Sequence, residues 1–214
     1  MTEADTSSSG PLSALTRLRS GNERFVKNLR DPDAPDFRTQ RRLVAEGQSP
    51  FAVVLSCSDS RVPSELVFDC GLGDLFVVRV AGNIVAPSLI GSVEFAAAMF
   101  DTSLVVVMGH TRCGAIKATL GAISGERILT DNLRDIIDRI SPSMQELVSA
   151  NLQGDALMHA ATRANVRASA SHLRHASRLL EGRVADGRLL VVGAEYDLDT
   201  GRVDFFDVPD QQGS

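Results

Sequence analysis

Residues 103–123 read SLVVVMGHTRCGAIKATLGAI. Ser103 to Met108 is a short apolar run, β-branched at its centre, which predicts a strand buried on both faces. Gly114 to Ile123 suits a helix that follows at once. A buried strand passing through a tight turn into a helix is the repeating unit of a parallel α/β sheet.

The same alternation extends outward. Phe51 to Ser56 (FAVVLS) and Leu75 to Val80 (LFVVRV) are two further buried strands, and Arg188 to Val192 is a fourth. Pro87 to Phe100 predicts a helix with Leu89, Val93, Ala96, Ala97 and Phe100 facing inward. Asp155 to Glu181 predicts one long Ala- and Arg-rich helix bearing Leu157, Ala160, Ala164, Ala168, Leu173, Ala176 and Leu180. Leu133 to Ile140 is a weaker helix. Tyr196 to Phe206, with Asp199-Thr200-Gly201 as the turn, predicts two strands joined at the sheet edge. Toward the N-terminus, Leu12 to Asn28 has helical spacing that Gly21 weakens, Pro32 and Pro35 interrupt, and Arg38 to Glu46 is a second short helix. Met1 to Pro11 reads as a disordered tail. The expectation is a single α/β domain over residues 12–214. Its parallel sheet is flanked by helices, with an antiparallel edge strand and an N-terminal helical arm.

Composition narrows the function. Of 214 residues, 43% are apolar, enough for a real core. The formal charge of −5 argues against nucleic acid as a partner. No run approaches the ~20 apolar residues that span a bilayer, so no membrane partner is expected. The first residues lack the basic start and apolar run of a secretory signal, which points to the cytoplasm. The three cysteines, Cys57, Cys70 and Cys113, do not suggest a disulfide framework. In a reducing compartment each is a metal ligand, a reactive thiol or a small core residue.

Chemistry concentrates in Cys57-Ser58-Asp59-Ser60-Arg61 and in Gly109-His110-Thr111-Arg112-Cys113-Gly114, each placed where a predicted strand ends. Ligands of open parallel sheets bind just beyond the carboxyl ends of strands, so neighbouring strands would bring Cys57 and His110 into one crevice. Thiolate and imidazole are the donors zinc prefers, and His110 and Cys113 are close enough in sequence to grip one ion with Cys57. Asp59 can reach a fourth position and close the site. If Asp59 instead turns to the planar fork of Arg61, water can enter and the site becomes catalytic. His159, His172 and His175 fall on the long helix and read as solvated or packed. Gly71-Leu72-Gly73 precedes a strand rather than joining a strand to a helix, which rejects a dinucleotide reading. Arg79, near the end of a buried strand, is either an ion-pair partner or an anion contact.

These segments resemble β-class carbonic anhydrases. Cys57-Ser58-Asp59-Ser60-Arg61-Val62-Pro63, Gly73 to Arg79, Ala81-Gly82-Asn83 and Gly109 to Gly114 follow that signature in order, and Gly21-Asn22-Glu23-Arg24-Phe25 is similar to the family's N-terminal helix motif. The resemblance covers roughly Leu12 to Asp207. It implies one Zn2+ per chain on Cys57, His110 and Cys113, with Asp59 binding zinc in a closed form or pairing with Arg61 in an open one. It implies reversible hydration of carbon dioxide to bicarbonate, and a homodimer or homotetramer whose N-terminal helices wrap a neighbour. Apolar walls for the substrate fall at Val80 and Ile84. The family's second, bicarbonate-holding pocket uses a Trp, an Arg and a Tyr. Arg79 and Tyr196 match the last two, but Val54 stands at the Trp position and the chain has no Trp. Cys70 stands near where many relatives carry a glutamine by the substrate. Hydrolysis of carbon disulfide or carbonyl sulfide, and a non-catalytic zinc protein, are the competing readings.

Overall fold

A computed structural model describes residues 10–149 and 152–209. The expected tail lies outside them except for Gly10 and Pro11, and Pro11 already opens the first helix. Four strands run parallel: β1 (Ala52–Ser56), β2 (Leu75–Arg79), β3 (Leu104–His110) and β4 (Leu190–Tyr196). A last strand, β5 (Val203–Phe206), pairs antiparallel with β4, and the order across the sheet is β2-β1-β3-β4-β5. The chain therefore steps outward from β1 to β2, then returns past β1 to β3. That reversal makes the carboxyl ends of β1 and β3 the switch point where open sheets bind ligands. Register brings Ser56 beside Met108. Cys57 follows one residue after this pair and His110 two, so both stand at the carboxyl ends of adjacent strands.

Helices cover both faces. On one, α1 (Pro11–Val26) lays Ala14, Leu15 and Leu18 onto Val54, Val106 and Met108. Full burial of each leucine is worth ~1.5–3 kcal/mol. Between α1 and the sheet's first return come α2 (Phe37–Leu43), capped by the Asp36 carboxylate, and the single turn α3 (Ser64–Val67). The other face takes α4 (Pro87–Met99) on Val53, Leu55, Val105 and Val107, with Val93, Ala96 and Ala97 inward as the spacing predicted. At the carboxyl end of the sheet stand α5 (Gly114–Ile123), α6 (Asp131–Ile140) and the short α7 (Gln145–Ser149). Then α8 (Gly154–His175) crosses β3 and β4, and α9 (Arg178–Ala185) follows. Among the described residues, no helix is long and apolar enough to cross a membrane.

Three local expectations change. The helix over Asp155–Glu181 is two helices. Ser177 is extended, and its hydroxyl accepts the Leu180 N–H at 3.3 Å, which caps α9 and lets Leu180 bury completely. The buried face of α8 is also rotated from the alanine stripe. Ala161, Thr162, Asn165, Val166, Ser169, Ala170 and Leu173 are inside, while Ala168 is exposed. Finally, the fourth strand starts later and runs through Gly193 to Tyr196 rather than stopping at Val192. Gly193 makes room within the strand for the Phe206 ring, which a Cβ would strike.

Candidate metal centre

Cys57 follows β1 directly, His110 closes β3, and Cys113 is the residue before α5. The intervening Arg112 takes a left-handed conformation (φ 55°), which folds the chain back and returns Cys113 to His110. The sulfurs of Cys57 and Cys113 are 4.0 Å apart. They and a ring nitrogen of His110 all lie within 4.8 Å of one another. Two thiolates on one tetrahedral zinc, each at about 2.3 Å, would be ~3.8 Å apart. The cluster therefore needs almost no adjustment to hold that ion.

The histidine supplies a second test of fit. His110 is fully buried, and its Nδ1 bonds the Thr111 carbonyl at 2.9 Å. A carbonyl only accepts, so Nδ1 carries the hydrogen and Nε2 keeps its lone pair. Nε2 is buried with no hydrogen-bond partner among the described residues. A buried acceptor left bare costs about 1–3 kcal/mol, and a cation removes that cost. Thr111 is itself braced by the β4–β5 hairpin. Its N–H donates to the Tyr196 carbonyl at 3.0 Å, and its hydroxyl accepts the Leu198 N–H at 3.0 Å. The turn of that hairpin also ties back to α1, where Asn22 donates to the Gly201 carbonyl and accepts from Val203 N–H, both at 2.9 Å.

The thiols are strongly polarised. The hydrogen bond with Cys113 pushes the Cys57 thiol down to about 4, against burial and helped by His110 and by the Gly82 N–H at 3.4 Å. The same contact, together with burial, pushes Cys113 up. Cysteine binds a cation as thiolate, so metal binding here would displace thiol protons. Gly82 has to be glycine: its φ is +70°, and a Cβ there would press on Ile140 and Ala115.

Asp59 turns to Arg61. Its two oxygens accept Arg61 Nε at 2.9 Å and Arg61 NH2 at 2.7 Å, and Oδ1 also takes the Arg61 backbone N–H at 3.0 Å. This fork holds the Asp59 carboxyl well below the usual carboxylate range. Asp59 Oδ2 stands 3.8 Å from His110 Nε2, on the rim of the cluster.

Other residues singled out in the sequence divide. Val80 and Ile84 pack in the apolar cluster that holds both thiols, with Ile116, Ile140 and Met144. Arg79 donates to the carbonyls of Cys57 at 3.2 Å and Asp59 at 2.7 Å, so its guanidinium braces the ligand loop. Tyr196 and Cys70 belong to the cluster beneath α1, and Tyr196 is the β4 register partner of His110. Burial pushes the Cys70 thiol up to about 12. Thr111 and Gly82 fall within segments of the resemblance, but their roles as a brace and as a donor to sulfur were not legible, because each depends on where a distant loop falls.

A largely parallel sheet with two cysteines and a histidine gathered at its switch point defines a doubly wound α/β protein whose cluster could hold a metal ion. Comparison with known proteins then makes it specific. The carbonic anhydrase family model matches residues 52–203. The protein named carbonic anhydrase 2 of Mycobacterium tuberculosis is 37% identical over 193 residues, covering 90% of this chain and 91% of that one. A Mycolicibacterium smegmatis carbonic anhydrase is 36% identical over 92% of this chain and 93% of its own length. In three dimensions the β-carbonic anhydrase CcaA superposes with a TM-score of 0.71 at 26% identity, covering 93% and 94% of the two chains. The β-carbonic anhydrase CafA of Aspergillus fumigatus shares the fold with a TM-score of 0.73 at 22% identity, over 94% and 92%. The chain belongs to the β-class carbonic anhydrase family.

Proposed function

We propose that this protein is a zinc enzyme that hydrates carbon dioxide reversibly, giving bicarbonate and a proton. The observation that carries the reading is the convergence of two sulfurs and a bare imidazole nitrogen within 4.8 Å, beside an aspartate already held by an arginine. Cys57, His110 and Cys113 would hold the ion. Bound there, zinc supplies Lewis acidity that lowers the pKa of water in its fourth position toward ~7.

The chain's own groups do the rest. Arg61 keeps Asp59 ionised and turned to the rim, so the fourth position stays available to solvent. Asp59 accepts the remaining hydrogen of the nucleophile and leaves a lone pair facing the carbon. Val80 and Ile84 offer an apolar wall to an uncharged, weakly hydrated substrate. Arg79 keeps the Cys57–Asp59 loop in register through two carbonyls. With Arg79 so engaged and Tyr196 beneath α1, bicarbonate release rather than a second bicarbonate pocket suits the site.

The reading extends to a homodimer or homotetramer of one domain over residues 12–214, acting in the cytoplasm. Stopped-flow hydration with metal analysis tests the chemistry. Asp59→Asn and Arg61→Ala should each lower turnover at least ~100-fold with one zinc per chain retained, the scale of a lost proton-handling group. Full activity in both variants would refute the dyad, and an inactive, zinc-loaded wild type would refute the reading itself.

A further inference from the structure

Hydration must export a proton, and the structure contains an unassigned acid–base pair beside the metal centre. Glu195, on β4, is 4% exposed. Its Oε2 lies 3.0 Å from Nδ1 of His159 on α8 and 3.5 Å from Arg163 NH1. The His159 side chain is 56% exposed. It lines a cavity of about 280 Å³ together with Thr111 and Arg112, the two residues between ligands His110 and Cys113. Its neighbour Met158 lines the same cavity and packs against the cluster that contains both thiols. Asp155, Asp197 and Asp199 also face this space, and Asp199 ion-pairs Arg112 at 2.7 Å. Arg163 is shared between Glu195 and Asp204.

A second observation concerns buried polar atoms near this pair. Glu195 Oε1, Thr162 Oγ1 and Asn83 Nδ2 are buried without hydrogen-bond partners among the described residues. All three gather around Gly109. A Cβ there would sit 2.8 Å from Thr162 Cγ2 and 3.8 Å from Asn83 Oδ1, and Glu195 is its register partner on β4. Buried polar atoms left bare in this way are ordinarily satisfied by ordered water. Asn83 is next to Gly82, whose N–H reaches Cys57 Sγ, and Glu195 contacts His159, so these residues adjoin the thiols at one end and His159 at the other.

We propose that His159, backed by Glu195, is the proton exit of the hydration reaction. The inference rests on the function proposed above. Carbon dioxide and water yield bicarbonate and one proton. That proton travels over internal water to His159 Nε2, while the Nδ1 hydrogen stays on Nδ1 and is donated to the Glu195 carboxylate. The imidazolium, stabilised by the Glu195 carboxylate, then passes its proton to buffer at the cavity mouth. No oxidant or reductant takes part.

The test is stopped-flow hydration at low and high buffer concentration. At low buffer, His159→Ala should lower kcat on the order of 10- to 100-fold with kcat/KM unchanged, and added imidazole should restore kcat. His172→Ala, an exposed histidine of the same helix, should match wild type. Proton NMR supplies a readout independent of activity. The His159 Nδ1 hydrogen should give a protected downfield signal in apo and zinc-loaded protein, lost in Glu195→Leu. An unchanged kcat in His159→Ala at low buffer, or a joint fall of kcat and kcat/KM that no buffer reverses, would overturn the exit while leaving the wild type active. An inactive wild type would instead remove the reaction that the exit serves.

Discussion

The two faces of the sheet are built by different rules. Beneath α1, the sheet meets Ala14, Leu15 and Leu18, and the one buried polar side chain α1 contributes is fully matched. Asn22 donates to Val67 and Gly201 carbonyls at 3.1 and 2.9 Å and accepts from Val203 N–H. Beneath α8, the same sheet meets Thr162, Asn165, Ser169 and the carboxylate of Glu195. The four buried side-chain atoms without partners among the described residues belong to Asn83, His110, Thr162 and Glu195. Thr162 and Glu195 lie beneath α8, and Asn83 and His110 lie at the carboxyl end of the sheet, His110 in register with Tyr196. Unmatched buried polar atoms each cost about 1–3 kcal/mol, so a fold keeps them where something else binds to them. Beneath α1 the buried polar groups are matched, and the unmatched ones gather beneath α8 and at the carboxyl end of the sheet.

The sharpest way to break this contrast is to exchange the effects. Cys57→Ser removes one of three protein ligands, and metal analysis after dialysis should find the zinc largely gone while the apoprotein stays folded. Retained stoichiometric zinc would mean the ligand set is wrong. On the other face, Leu18→Ala should lower unfolding stability by about 2–5 kcal/mol by denaturant titration, since Leu18 is fully buried, with zinc content unchanged. Thr111→Val keeps the volume but removes the hydroxyl that accepts Leu198 N–H. Zinc affinity by chelator competition should drop about 10-fold, as for other outer supports of a ligating histidine, and Thr111→Ser should keep it.

Smaller effects probe the buried polar groups beneath α8. Thr162→Val should cost about 1 kcal/mol if water satisfies the buried hydroxyl, whereas a gain in melting temperature would show a dry site. Glu195 has its pKa raised, chiefly by burial. A carboxyl with a raised folded pKa helps stability below its unfolded pKa and loses that help as pH rises through the folded one. Melting curves across this range should therefore move in favour of Glu195→Gln as pH rises. A difference that stays flat with pH would mean His159 and Arg163 fully offset the burial.

Much of the site was legible from the chain. Cys57, His110 and Cys113 could be picked out because each ends or follows a β-branched run too short to be anything but a strand, and their donor types match one metal. Asp59 and Arg61 were legible because a carboxylate two residues from a guanidinium can form a fork locally, which it does. Arg79 was legible as a charged residue at a strand end, but not as a brace on two carbonyls. His159 looked like an ordinary helical histidine because its partner, Glu195, is on a strand 36 residues later.

The sequence by itself determined the strand runs, their alternation with helices and the identities of the donors. These follow from local rules: both-face burial demands continuous apolar, β-branched residues, and donor chemistry belongs to single side chains. Only the tertiary structure decided the strand order that puts β1 beside β3. It also set the rotation of α8 that turns Thr162 and Asn165 inward, the break at Ser177, and the meeting of His159 with Glu195. Those outcomes depend on hydrogen bonds and packing between segments far apart in the chain, where no short window of residues contains both partners.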